Sequence, residues 1–142
     1  MRLALVLALF TSPAQAWDFT PSPVCTLTET TPDATLTVTY DSSLPEYAIA
    51  ITLAAGVWPD DQGFGMVFAG ENPIEIGTNR QVISGDGRTL TVRDSGFGNV
   101  LDGLQFNTRA YAIAGDLTVP FDLTGIDPAI AAFRGCPAAN MT

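Results

Sequence analysis

The chain has 142 residues, and its 15 acidic side chains outweigh six basic ones to give a formal net charge of −9. Such a surface repels phosphate backbones and anionic headgroups, which disfavours nucleic acid and membrane partners. Histidine and lysine are both absent, so Ser-His-Asp, Cys-His and Ser-Lys nucleophiles, Schiff-base chemistry and a P-loop lysine are excluded.

At the start, Met1 and Arg2 give a short positive segment, Leu3 to Phe10 an apolar run, Pro13 a helix break and Ala14-Gln15-Ala16 a small-x-small cleavage site. This predicts a signal peptide over residues 1–16, one domain over residues 17–142, and a periplasmic or secreted location. The apolar run is far below the roughly 20 residues that span a bilayer, so no membrane insertion is expected. Trp17 follows the predicted cut where a lipid anchor needs cysteine.

Cys25 and Cys136 are the only thiols. An even count in an exported chain predicts that they pair. Their spacing excludes a C-x-x-C redox site, and without histidine they make a poor zinc site.

From there the hydrophobic period is two far more often than 3.6. Residues 34–40 place Leu36, Val38 and Tyr40 on one face and threonines on the other, and residues 47–53 place Tyr47, Ile49, Ile51 and Leu53 together, so both segments read as strands. Further strands are predicted at 66–69 and 74–76, then a hairpin of 80–84 and 88–94 around Gly85-Asp86-Gly87, with Leu90 and Val92 inward. After Gly96-Phe97-Gly98 the spacing of Val100, Leu101 and Leu104 turns helical, with Asn99 as the expected N-cap. Segments 110–114 and 117–123 form a second hairpin through a Gly115-Asp116 turn of the II′ kind, and Pro120 assigns its strand to an edge or a bulge. Asp127 caps a short final helix beginning at Pro128 and ending at Gly135. The fold class is thus mainly β: an antiparallel β-sandwich or barrel-like domain of seven or eight strands with a C-terminal helix, closed by a disulfide.

The candidate ligand-contact loop is residues 58–65, where Trp58, Asp60, Asp61 and Phe64 set two acids beside aromatic rings and two glycines. Adjacent acids suit a cation or a sugar, but they also suit a solvated turn, because a calcium site draws six to eight oxygens from several positions. The aromatic rings equally suit core plugs. No D-x-D-x-D-G loop is present, no catalytic residue can be named, and no cofactor or metal is expected. Asn140-Met141-Thr142 matches a glycosylation sequon.

Toward the C-terminus, Val119-Pro120-Phe121-Asp122-Leu123-Thr124-Gly125-Ile126, followed by Ala129 and Ile130 and preceded by Leu101-Asp102-Gly103-Leu104, resembles the closing motif of the invasion-associated locus B family. These are small exported proteins of alphaproteobacteria. The resemblance covers the last third of the chain and implies a compact β-rich periplasmic domain without known catalytic residues. Taken together, the sequence points to an exported, non-enzymatic protein that binds a protein or envelope partner. The alternative is a carboxylate-dependent hydrolase or a calcium- or carbohydrate-binding domain.

Overall fold

Alternation of apolar side chains with threonine and alanine builds most of this protein. The computed structural model describes Leu7 and residues 17–139. The expected leader, Leu7 apart, and the Asn140-Met141-Thr142 sequon lie outside the described residues. In chain order the elements are β1 (Asp18–Thr20), β2 (Cys25–Thr30), β3 (Ala34–Asp41), β4 (Glu46–Leu53), β5 (Phe64–Ala69), β6 (Ile74–Thr78), β7 (Val82–Ser84), β8 (Thr89–Asp94), α1 (Gly98–Gln105), β9 (Arg109–Ala114), β10 (Leu117–Asp122) and α2 (Asp127–Ala139). The strands form a six-stranded sheet in the order β1-β2-β3-β4-β8-β7 and a four-stranded sheet in the order β10-β9-β5-β6. Every pairing is antiparallel.

The register lines up the core in rows. In the larger sheet Leu36 faces Ile51 and Ile51 faces Leu90, and all three are fully buried. In the smaller sheet Phe68 and Phe121 flank Ala110, and Met66 and Val119 flank Ala112. The alanines of β9 thereby open a furrow between larger neighbours. The core fills it, since Ala110, Ala112 and Ala114 are at most 1% exposed, as close packing requires. Two indoles anchor residues outside the strands to strand backbone: Trp17 Nε1 donates to the Asp122 carbonyl at 3.0 Å and Trp58 Nε1 to the Ile51 carbonyl at 3.0 Å.

Helix α2 lies against β1 and β2, burying Ile130 and Phe133, and the Cys25–Cys136 disulfide fixes it to β2. Helix α1 lies against β5, β6, β9 and α2. Arg134 joins the two helices by donating to Asp102 at 2.9 Å and to Gln105 at 2.7 Å.

The predicted fold class, both glycine hairpins and the Pro120 edge are present in the structure. Gly85, Gly87 and Gly115 have φ of 67°, 88° and 57°, and no other residue type among the described residues has positive φ, which suits a II′ turn at Gly115-Asp116. Several details differ: the strand expected at residues 80–84 is confined to Val82–Ser84, and Asp127, the expected cap of the last helix, is its first helical residue. Strands β1 and β2 were not predicted; β2 does alternate, but its third inward position is Glu29. The N-cap of α1 is Phe97, without a side-chain cap, so Asn99 already lies inside the helix. Helix α2 continues past Gly135, which does not take the positive φ of a C-terminal cap.

Candidate functional site

Strand β7 is three residues long and covers β8 only from Thr89 to Thr91. Among the described residues, that outer edge of β8 therefore has no strand beside it from Val92 to Asp94, and β6 is the outermost strand of the opposite sheet. The two sheets consequently part along this side, and a cleft of about 480 Å³ opens between β4 and β8 on one wall, β5 and β6 on the other, and the start of α1. Ile49, Phe64, Met66 and Phe97 line its depth, each 3–5% exposed. Ile76, Val92 and Val100, partly exposed, lie nearer the mouth. Thr78, Arg80, Asp94 and Asn99 form a polar rim.

The rim is held by a short network. Arg80 Nη2 donates to Asp94 Oδ2 at 3.2 Å, and the Arg80 backbone N–H donates to Thr78 Oγ1 at 3.1 Å. The Ser95 backbone N–H donates to Asp94 Oδ1 at 2.7 Å. That N–H first, and Arg80 after it, hold the Asp94 carboxyl below the usual carboxylate range. Gly96 and Gly98 also line the mouth. A Cβ at either would meet no atom within 4 Å, so no close approach demands these glycines, and their bareness leaves the opening wide. Volume, apolar depth and a few convergent polar groups are the attributes of a small-molecule site.

The loop that the sequence marks lies beside this cleft and divides in two. Trp58 is 2% and Phe64 5% exposed. Their rings meet edge to face with centroids 6.1 Å apart, and Phe64 itself lines the cleft. Asp60 and Asp61 face outward, with Gln62 Nε2 at 3.4 Å from Asp61 Oδ1. Asp61 and Trp58 border a shallower surface groove with Val57 and the Gly115-Asp116 turn. Among the described residues no three or more His, Cys, Asp or Glu side chains are gathered so as to hold a metal ion.

No family model, curated protein or solved structure matches this chain.

The sequence did not single out Arg80, Asp94, Ile76 or Val92 as site residues. Only Val92 was marked, as an inward residue, and the strand expected at residues 80–84 would have covered it, whereas β7 is confined to Val82–Ser84.

A second chemical feature lies elsewhere in the core. Glu29 on β2 is 3% exposed, and its Oε2 has no hydrogen-bond partner among the described residues. Burial pushes its carboxyl pKa up, the charges of Asp18 and Asp122 add to the rise, and a hydrogen bond from the Thr30 backbone opposes it. A carboxyl whose pKa is higher in the folded state costs stability once it must ionise, so the penalty grows as pH rises through the unfolded value and is complete above the folded one. Glu29→Gln, which removes the ionisable group while keeping its shape, is expected to raise the melting temperature at pH 7. Thermal melts of both proteins should converge as pH falls below the ordinary glutamate range, and a constant gap across pH would show that charge is not the cause.

Proposed function

We propose that this chain is an exported, non-enzymatic binding protein that takes a small amphipathic ligand in the cleft between its sheets. The observation that carries the reading is the cleft itself, an apolar pocket of about 480 Å³ opening under a polar rim, within the size range of ligand sites. The disulfide supports an oxidising compartment, as does the leader pattern at Met1 to Ala16. The likeness of residues 119–126 to the invasion-associated locus B family belongs to the same reading, since that family is exported and β-rich. The hydrolase and calcium alternative has no observation in its favour, because Asp60 and Asp61 point outward and no third donor joins them among the described residues.

The test is a titration with decanol, followed by amide and indole shifts in two-dimensional NMR. Saturable shifts are expected at Met66, Ile76 and Val92 and at the Trp58 indole, one ring removed from the cleft. Val92→Trp fills the mouth and should abolish them while the variant melts within a few degrees of the parent. Shifts confined to Val57, Asp61 and Gly115 would move the site to the outer groove, and absence of any saturable shift would remove the cleft from consideration.

A further inference from the structure

Accepting the cleft as a ligand site, we infer that its ligand is a single-chain amphiphile with a carboxylate head, the apolar chain lying along Met66 and Phe97 and the carboxylate meeting Arg80. The other described arginines set the context. Arg88 spends its guanidinium on the Leu53 and Ala54 carbonyls, Arg134 on Asp102 and Gln105, and Arg93 faces Glu46. Arg109 sits near Asp122. Arg80 stands on the rim of the cleft with its side chain 70% exposed. A guanidinium carries five N–H donors in a planar fork, and among the described residues only Nη2 of Arg80 makes a side-chain hydrogen bond. The rest of the fork is open to a second carboxylate.

Asp94 is the complementary case. Its Oδ1 accepts from Ser95 and its Oδ2 from Arg80, so it orients the guanidinium. A carboxylate head shares Arg80 with Asp94 through parallel N–H···O bonds, the geometry for which arginine is suited. The net charge of −9 opposes an anion at long range. That repulsion is screened beyond roughly 8 Å at physiological salt, and of the near charges Asp94 opposes the head while Arg80 attracts it directly.

Isothermal titration with three probes of equal chain length separates the head from the chain: decanoate, decanol and decyltrimethylammonium, each kept below its micelle-forming concentration. Decanoate is expected to bind about tenfold more tightly than decanol, the effect of one charge-assisted contact at a part-exposed rim. Arg80→Gln should erase that preference by lowering decanoate affinity about tenfold and decanol affinity far less, and Arg80→Lys should restore only part of it, lacking the fork. Folding is not at risk, since the Arg80–Asp94 pair is exposed and such pairs contribute little. Equal affinity for decanoate and decanol overturns the carboxylate assignment and leaves the cleft as an apolar site. Tightest binding of the ammonium probe overturns it in favour of Asp94. Failure of all three probes overturns the cleft reading with it.

Discussion

Breaking the Cys25–Cys136 bond is expected to lower the melting temperature by roughly 15 °C, the largest single effect foreseen for this protein. The bond joins residues 111 apart in sequence, so it removes from the unfolded ensemble nearly all conformations in which the two ends separate. The chain-entropy model assigns about 4–5 kcal/mol to a loop of that size. Total stability of a domain is about 5–15 kcal/mol. Cys25 is fully buried and Cys136 nearly so, which means that a reductant must wait for α2 to lift from β2. Melts of the Cys25→Ala/Cys136→Ala double variant therefore provide the cleaner measurement, with the reduced parent as a second arm. A fall of less than about 5 °C in both would show that Ile130 and Phe133 hold α2 on β2 without help from the covalent link.

The inward faces were legible wherever a strand alternates apolar residues with threonine or alanine, because burial on one side and a neighbour or solvent on the other leaves a period of two. Leu36, Val38, Ile49, Ile51 and Leu90 are all buried as that pattern requires. It failed at β2 for a specific reason. Cys25 and Leu27 point inward, but the next inward position is Glu29, and a charged residue on the apolar face hides the alternation. The order of strands was not legible at all: β8 lies beside β4 across two intervening strands of the other sheet and a hairpin partner, and local sequence does not specify such neighbours.

Site residues were visible to an uneven degree, for the same reasons. Trp58 and Phe64 were recognised as notable aromatics, yet which way they point depends on the Ile51 carbonyl that receives the Trp58 N–H. The cleft arises from a missing neighbour, since β7 ends before it covers Val92 to Asp94. A short strand in a sequence says little about what its absence exposes. Arg80 and Asp94 are likewise 14 residues apart and meet only because the chain crosses from one sheet to the other between β6 and β7.

Helix α1 supplies one wall of the cleft, and its placement turns on a single glycine. A Cβ built on Gly103 would lie 2.4 Å from Cδ2 and 2.5 Å from Cγ of Phe68, so the helix rests directly on that ring. Phe68 is fully buried on β5, paired with Ala110 on one side and Ile74 on the other, and has little freedom to turn aside. Gly103→Ala should gain about 1 kcal/mol of helix propensity and lose more than that to overpacking, which typically costs about 1–3 kcal/mol. The expected net result is a fall of about 5 °C in melting temperature. Gly98→Ala, in the first turn of the same helix, meets open space and serves as the control, expected to be neutral or slightly stabilising. Phe68→Leu alone leaves a cavity, but combined with Gly103→Ala it gives the new methyl room. The double variant should thus lose less than the two single losses together, by at least about 0.5 kcal/mol in a double-mutant cycle. Because Phe97 and Val100 move with the helix, Gly103→Ala should also weaken decanol binding. Equal melting of the two alanine variants would refute the close approach of α1 to β5 and, with it, the proposed positioning of the cleft wall.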